Sequence, residues 1–284
     1  MIGELLCGWF LVNLVLTLAM YGFWYYQRQI EPGSAQLPGG SERLNGGRVL
    51  LGILIETLTF MLFQLCYPFA FWRDKHQPQL PAGRDTPILL VHGFACNSSC
   101  LWWLEWQLKR AGYRVRSVSY APAFGNVHKL VPQIKQHVRQ LLADSGADKL
   151  HYVAHSMGGV LVRDLLADAE FADVIDQVIC LGSPQQGSRA ANLLAPFAGG
   201  AIRQMVYHSD YVMPLAPTPG SARWSAINSQ MDNLVLPVTS AILPGMTHVA
   251  VDYLGHCSLL YSPRVLALIL RQLQNSQGET HDPA

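Results

Sequence analysis

Tyr152-Val153-Ala154-His155-Ser156-Met157-Gly158-Gly159-Val160 is the stretch of sequence that decides the fold. An apolar run ends at a serine, and a run compatible with a helix follows it. A sharp strand-to-helix turn of this kind strains its central residue, so the positions two before and two after it must be small. Ala154 and Gly158 meet that requirement. We therefore expect the Ser156 hydroxyl to stand clear of a sheet edge, with the Met157 N–H at a helix N-terminus.

A second element lies upstream, where an apolar segment stops at His92-Gly93-Phe94. From there onward, short apolar runs alternate with amphipathic stretches, which predicts a parallel sheet covered by helices. Strands are predicted at 88–91, 114–119, 150–154, 178–181, 238–243 and 248–253. Helices are predicted at 101–111, 130–143, 158–167 and 264–274. Ligands of such sheets bind at the carboxyl ends of the strands, where the residues around 92 and 156 would meet.

Together these motifs resemble the α/β-hydrolase superfamily, and within it the bacterial lipases and esterases with an Ala-His-Ser-Met-Gly-Gly elbow. The resemblance covers roughly residues 85–275. It extends to 181–187, which is similar to the Gly-Thr-Pro-x-x-Gly turn of the lipases, and to 229–237, which is similar to their acid-bearing loop. Residues 254–260 resemble their histidine loop. The order Ser, Asp, His along the chain is the order of that superfamily.

The resemblance implies a serine hydrolase that works through an acyl-enzyme. Ser156 would be the nucleophile, His256 the general base and then the general acid, and Asp232 the carboxylate that holds the imidazole. The backbone N–H groups of Phe94 and Met157 would stabilise the oxyanion. The residues that support the site would be His92, Gly93 and His155.

Asp210 and Asp252 remain alternatives for the acid, although Asp252 lies close to His256 in sequence. Acyl transfer through a serine requires no cofactor. The neighbouring cysteines Cys96 and Cys100 have no companion His or Cys at the spacing of a metal site. We therefore expect neither a cofactor nor a metal. A net charge of +1 and the lack of basic blocks argue against a nucleic-acid partner.

The apolar excess of the composition lies at the front of the chain. Half of all residues are hydrophobic and 14% are charged. Residues 5–26 carry no charge, and Glu56 is the only charged residue within 49–72. Each run is long enough to cross a hydrocarbon layer of about 30 Å as a helix. No basic region precedes the first run and no small-residue cleavage site follows it, which favours an uncleaved anchor over a signal peptide.

The two runs predict a transmembrane hairpin joined by the Gly-rich loop 27–48, with the N-terminus and the catalytic domain on one side. Interfacial aromatic belts would comprise Trp24, Tyr25, Tyr26, Phe69, Phe71 and Trp72. The loop and the far flank carry equal numbers of basic residues, namely Arg28, Arg43 and Arg48 against Arg73, Lys75 and Arg84, so the side is not assigned. In mid-span, Glu56 would mark a function or a helix partner. Alternatively, the second run lies partly against the catalytic domain, with Glu56 hydrogen-bonded there.

We expect a membrane anchor at 1–84, an α/β-hydrolase domain at 85–275 and a polar tail at 276–284. Within the domain, 188–223 would form a small cap. Its apolar side chains either line an acyl pocket or pack as ordinary helices: Leu193, Leu194, Phe197, Met205, Tyr211, Val212, Met213 and Leu215. The expected activity is that of a lipase, carboxylesterase or phospholipase on lipid or other acyl esters, at the bacterial inner membrane. An acyltransferase or thioesterase with the same triad is an alternative, and so is a hydrolase-like membrane scaffold without catalysis.

Overall fold

A central parallel sheet organises the chain. The computed structural model describes residues 1–41, 43–76, 80, 86–122, 124–197 and 199–278. Within them the strands are β1 (Ile88–Val91), β2 (Val115–Val118), β3 (Leu150–His155), β4 (Ile175–Leu181), β5 (Arg223–Ser229) and β6 (Thr247–Val251). They form one sheet in the order β2-β1-β3-β4-β5-β6, and every neighbouring pair is parallel. The predicted α/β fold is confirmed.

Helices precede the sheet and cover both of its faces. The helices of the described ranges are α1 (Ile2–Ile30), α2 (Gly46–Cys66), α3 (Phe69–Arg73), α4 (Trp102–Arg110), α5 (Val127–Ser145), α6 (Gly158–Leu166), α7 (Arg189–Leu194), α8 (Gly200–Gln204) and α9 (Pro263–Gly278). Side chains of α5 and α6 form the core on one face of the sheet, and side chains of α4 and α9 form it on the other. The four helices predicted from the sequence correspond to α4, α5, α6 and α9.

Local sequence signals explain where these elements begin and end. Asn126 caps α5 by accepting the His128 N–H at 2.9 Å, and Gly146 ends the helix with a positive φ of 67°. The buried side chains of α5 recur at helical spacing: Val127, Leu130, Val131, Ile134, Val138 and Leu141. All four residues of β1 are buried and apolar, as expected for a strand covered on both faces.

One predicted strand is wrong, and one strand was missed. Residues 238–243 do not form a strand, because Val238–Ala241 is a short 3₁₀ helix. Pro237 and Pro244 bracket this segment, and proline lacks the N–H that a sheet interior requires. The strand in its place is β5, whose polar Ser225 and Asn228 are buried inside the sheet. These polar residues interrupt the apolar run by which a buried strand is recognised.

The two N-terminal helices pack against each other and against the sheet domain. In α1, Trp9 donates its indole N–H to the side chain of Gln64 in α2 at 2.8 Å. Further along α1, Trp24 is buried and donates to the backbone oxygen of Gln230 at 3.2 Å, so it does not belong to an exposed aromatic belt. Tyr25 and Tyr26 are exposed, as expected of belt residues.

Both helices are long and apolar enough to cross a membrane. One side of α2 nevertheless contacts the sheet domain, and the Glu56 carboxylate accepts hydrogen bonds from the histidine loop. This is the contact foreseen in the alternative interpretation of the second run. The predicted boundary at 84/85, together with Arg84, and the end of the predicted tail at 279–284 lie outside the described residues. The bacterial inner membrane stays a prediction.

A segment between β4 and β5, comprising 188–197 and 199–222, lies at the carboxyl edge of the sheet, and we call it the cap segment. A buried arginine of α6 fixes it. The Arg163 guanidinium donates to the backbone oxygens of Gln185 (2.5 Å), Val212 (3.2 Å), Leu215 (2.5 Å) and Ala216 (2.9 Å). Burial lowers the pKa of Arg163 to about 10, so the group keeps its charge at neutral pH.

Replacing this arginine tests its role in the fold. Arg163→Met should lower the free energy of unfolding by about 3 kcal/mol, because buried carbonyl groups lose a charged donor. Arg203→Met is the matched control, since Arg203 is exposed and donates only to Ala195 O at 3.2 Å among its described contacts. Urea unfolding followed by tryptophan fluorescence measures both variants. Equal, small losses would show that Arg163 does not hold the cap segment.

Candidate active site

The turn between β3 and α6 places Ser156 at the carboxyl edge of the sheet. Its φ is +56°, a left-handed conformation that is rare for a residue with a side chain. The Ser156 N–H donates to Leu181 O at 2.9 Å, which ties the turn to β4. A Cβ on Gly158 would lie 2.6 Å from His92 O. Only glycine therefore allows this close approach between the turn and the loop after β1.

The loop after β1 meets Ser156 from the other side. A Cβ on Gly93 would lie 2.6 Å from the Ser156 Cβ, so glycine is required here as well. Among the described residues, neither the Phe94 N–H nor the Met157 N–H has a hydrogen-bond partner. Both residues line the same cavity as Ser156. The geometry thus leaves two backbone donors next to the serine, as an oxyanion site requires.

His256 and Asp232 form a buried pair. The His256 Nδ1 lies 3.0 Å from Asp232 Oδ1 and 2.9 Å from Oδ2. The carboxylate also accepts the N–H groups of Leu234 and Val235, both at 2.9 Å, which fixes its orientation. Because Nδ1 is engaged by the carboxylate, Nε2 is the ring atom left to exchange a proton with the cavity.

The charges around His256 favour its protonated form. Burial by itself lowers the pKa of His256, but the charge and hydrogen bond of Asp232, followed by the charges of Glu56 and Cys96, outweigh it. The pKa of His256 is therefore raised above its ordinary value. The imidazolium that forms when a serine gives up its proton is stabilised in the same way.

The backbone of His256 is held by two further side chains. Its N–H donates to Asn233 Oδ1 at 3.0 Å, and its carbonyl oxygen lies 3.0 Å from His155 Nε2. Burial holds the pKa of His155 well below its ordinary value, so the ring is neutral and donates through Nε2. His155 thus links the strand that carries Ser156 to the loop that carries His256.

His92 supports the loop after β1 in a similar way. Its Nδ1 lies 2.8 Å from Gly93 O, and its Nε2 lies 3.3 Å from the Tyr120 N–H. One tautomer satisfies both contacts, with Nδ1 as donor and Nε2 as acceptor. Burial lowers the pKa of His92 to about 4, so the ring stays neutral. The Tyr120 hydroxyl donates to His92 O at 2.7 Å.

Of the three candidate acids, the structure brings only Asp232 to His256. The Asp252 carboxylate accepts hydrogen bonds from Ser41, from its hydroxyl at 2.6 Å and from its N–H at 3.2 Å. Asp210 is exposed. The thiols of Cys96 and Cys100 are free, and within the described ranges no group of three or more His, Cys, Asp or Glu residues could hold a metal ion.

Ser156 and His256 open into a cavity of about 710 Å³ with a mostly apolar lining. Such a volume suits a small-molecule ligand, since ligand pockets are commonly about 300–1,000 Å³. Part of the wall comes from the cap segment, through Ala190, Ala191, Leu194, Ile202 and Met205. Another part comes from the N-terminal helices, through Leu16, Thr17, Ala19, Met20, Phe60 and Phe63. The cavity wall therefore combines two segments that are far apart in the sequence.

The predicted acyl-pocket residues of the cap segment divide into three groups. Leu194, which is also 41% exposed, and Met205, which also belongs to the core, line the cavity. Exposed side chains are Leu193, Phe197 and Met213. Side chains that belong to the core or pack against it are Tyr211, Val212 and Leu215. Sequence reasoning did not predict that α1 lines the cavity, although the sequence of α1 contains a row of residues that indicates a buried helix face. Asn13, Thr17, Tyr21, Trp24 and Gln27 recur at helical spacing and are buried.

Comparisons with known proteins place this geometry in context. The family model of palmitoyl protein thioesterases matches residues 87–217. Among curated proteins, a lysosomal thioesterase PPT2-B from Xenopus laevis is 27% identical over 112 residues, which cover 38% of this chain and 38% of that protein. A triacylglycerol lipase from Pseudarthrobacter phenanthrenivorans is 28% identical over 116 residues, which cover 38% of this chain and 36% of that protein. The chain therefore matches less than two fifths of the length of these relatives.

Solved structures superpose on about two thirds of this chain. Lipase B from Aspergillus fumigatus superposes with a TM-score of 0.60 at 19% identity, covering 67% of this chain and 53% of that chain. The mature lipase BlEst2 from Bacillus licheniformis superposes with a TM-score of 0.55 at 17% identity, covering 69% of this chain and 94% of that chain. The chain thus has the α/β-hydrolase fold, as the motifs predicted.

The pH dependence of stability tests the His256–Asp232 pair. Because folding raises the pKa of His256, the pair contributes stability that is full below the unfolded pKa of about 6.5 and is lost as the pH rises through the folded pKa. Asp232→Asn should remove this contribution, whereas Asp252→Asn should keep it. Denaturant unfolding from about pH 6 to about pH 9 measures the slope. An unchanged slope in Asp232→Asn would contradict the pairing.

Proposed function

We propose that this protein is a membrane-associated serine hydrolase that cleaves long-chain acyl esters through an acyl-enzyme on Ser156. The observation that carries the proposal is the meeting of Ser156, the buried His256–Asp232 pair and two N–H groups, which have no partner among the described residues, at one apolar cavity. The α/β-hydrolase fold and the similarity to lipases and thioesterases support a hydrolase of the lipase and esterase type.

In this mechanism, Ser156 Oγ attacks the acyl carbonyl carbon while His256 Nε2 takes the hydroxyl proton. Asp232 stabilises the imidazolium, and the N–H groups of Phe94 and Met157 donate to the oxyanion. The tetrahedral intermediate collapses, and His256 gives its proton to the leaving alcohol. A water molecule, deprotonated by His256, then attacks the acyl-enzyme and releases the fatty acid. His256 returns its proton to Ser156 Oγ.

The acyl half of the substrate is the part that the cavity recognises. Its lining is largely apolar, and an alkyl chain gains about 0.8 kcal/mol for each methylene that it buries. The leaving group distinguishes an ester from a thioester. A thioesterase is the second candidate, favoured by the match of 87–217 to the palmitoyl protein thioesterases. Both candidates share the acyl-enzyme and the acyl cavity.

The N-terminal helices support an association with the membrane. Their outer surfaces expose large apolar side chains, among them Leu5, Leu6, Leu11, Val12, Leu50, Leu51, Leu54 and Leu58. The other side of α2 contacts the sheet domain from Gly52 to Tyr67, the residue that follows the helix, a length of about 22 Å at the rise of an α-helix. In this arrangement the outer surfaces of both helices meet lipid and the sheet domain sits against the bilayer. The exposed Tyr25, Tyr26, Phe69, Phe71 and Trp72 lie at the interface.

Removing the nucleophile tests the proposed reaction. Ser156→Ala should lower the hydrolysis of an octanoyl ester by several powers of ten, on the order of 10⁶-fold, and should abolish labelling by a fluorophosphonate. Ser145→Ala is the control, because Ser145 lies at the far end of α5. The purified protein in detergent is assayed with octanoyl ester and octanoyl thioester in parallel. Activity that survives in Ser156→Ala would rule out the serine mechanism, and a preference for the thioester would favour the second candidate.

The acyl cavity predicts a dependence on chain length. The value of kcat/KM should rise from acetyl through butyryl to octanoyl esters, by roughly tenfold for each two methylenes, until the cavity is full. Ala19→Trp fills the α1 wall and should reduce palmitoyl hydrolysis while sparing the butyryl ester. Leu18→Trp is the matched control, because Leu18 is exposed and does not line the cavity. A preference for acetyl esters, or equal effects of both variants, would refute this acyl site.

A further inference from the structure

The stripe of α2 that faces the sheet domain follows the loop that carries His256. A Cβ on Gly52 would lie 2.8 Å from Tyr253 O, so the helix approaches the start of this loop closely. The Phe63 ring lies 5.8 Å from the Tyr261 ring at the end of the loop. Glu56 lies between them on the same stripe, at the spacing of four and seven residues that one helix face presents. This side of α2 thus packs along the loop that carries His256.

Glu56 holds the backbone immediately after His256. Its Oε1 accepts the Cys257 N–H at 2.7 Å, and its Oε2 accepts the Ser258 N–H at 2.9 Å. A Cβ on Gly255 would collide with the Glu56 carboxyl group, so the residue before His256 must be glycine. The carboxylate therefore contacts the backbone on both sides of the histidine.

Within the described residues, no lysine or arginine pairs with Glu56. The side chain is 2% exposed, and burial of a carboxylate is unfavourable unless partners compensate it. Its compensation is two peptide N–H groups, the Ser258 hydroxyl and the charge of the imidazole of His256. Such a carboxylate is unusual in a helix whose residues 49–66 are otherwise uncharged. A role tied to His256 accounts for it.

We infer that Glu56 is a positioning residue in the proposed serine hydrolase. It fixes the loop that carries His256 and adds a second negative charge behind the imidazolium. This inference rests on the proposed function. Asp232 orients the ring through Nδ1, whereas Glu56 orients the backbone that carries the ring. The N-terminal helix thereby contributes to catalysis as well as to the cavity wall.

The titratable groups that face His256 come from several elements. Asp232 and Glu56 favour the imidazolium, as does Cys96 from the loop after β1. His155 from β3 is neutral, and its ring centroid lies 4.5 Å from that of His256. Cys257 follows His256 directly, and burial raises the pKa of its thiol well above the ordinary value, so it stays uncharged. Removing the Glu56 charge therefore leaves Asp232 as the main stabiliser of the imidazolium.

The experiment compares Glu56→Gln and Glu56→Asp with wild-type protein in detergent, using an octanoyl ester. An amide in place of the carboxylate directs an NH₂ donor at a peptide N–H, so the loop shifts and the charge is lost. Aspartate keeps the charge but is one methylene shorter. Thr59→Val is the control on the same helix, because among the described residues its hydroxyl donates only to Ile55 O of α2. Glu4→Gln controls for the loss of one charge at an exposed position.

Active enzyme is counted by fluorophosphonate titration, so the rates refer to folded protein. Glu56→Gln should lower kcat on the order of 10²-fold with little change in KM. The acid limb of the plot of kcat/KM against pH should move to lower pH, because the pKa of His256 falls when the negative charge is removed. Glu56→Asp should lose a comparable part of kcat while its acid limb stays near that of the wild type. Both control variants should behave as the wild type.

Wild-type kcat and pH profile in Glu56→Gln would overturn the inference. A loss that disappears after normalisation to active sites would also overturn it, because Glu56 would then serve folding alone. If Glu56→Gln does not fold, the kcat of Glu56→Asp, normalised to active sites, decides. A lowered kcat supports the inference, and a wild-type kcat overturns it. A different result, in which wild-type protein neither labels nor hydrolyses any acyl ester or thioester, would refute the proposed function itself.

Discussion

The close approach of two loops around Ser156 is the constraint on which the rest of the site depends. A serine at φ +56° is strained, and it persists because the neighbouring backbone is packed against it on two sides. Glycine at 93 and 158 makes that packing possible, since a Cβ at either position would lie 2.6 Å from a neighbouring atom. The same packing leaves the N–H groups of Phe94 and Met157 next to the serine. In the proposed enzyme, this one strained turn presents both the serine hydroxyl and the two candidate oxyanion donors.

The histidine lies in the loop after β6, three strands away from the strand that carries this serine, and three partners hold it in place. Asn233 binds its N–H, His155 binds its carbonyl oxygen, and Glu56 binds the two following N–H groups. Two of these partners come from the sheet domain and one from α2. The apolar cavity has the same dual origin, because α1 and α2 supply part of its wall. The N-terminal helices therefore form part of the proposed active site, in addition to the membrane association proposed for them.

Sequence patterns predicted the sheet, its main helices and the residues that meet at the cavity, because tight turns depend on local residue types such as the glycines beside His92 and Ser156. They failed where tertiary packing overrides local pattern. In β5, buried polar residues conceal the strand. In α1, hydropathy averages over all faces of the helix and obscures the buried row that includes Asn13, Thr17 and Tyr21. The partner of Glu56 could not be predicted, because it lies about 200 residues away in sequence.

A crystal structure of the protein with a long-chain alkyl phosphonate tests the central claim most directly. Our account predicts phosphorus bonded to Ser156 Oγ and a phosphonyl oxygen within hydrogen-bond distance of the Phe94 and Met157 N–H groups. The alkyl chain should lie between α1 and the cap segment, beside Ala19 and Leu194. An adduct on another residue, or an alkyl chain that leaves the cavity for solvent on the side away from α1 and α2, would contradict the account.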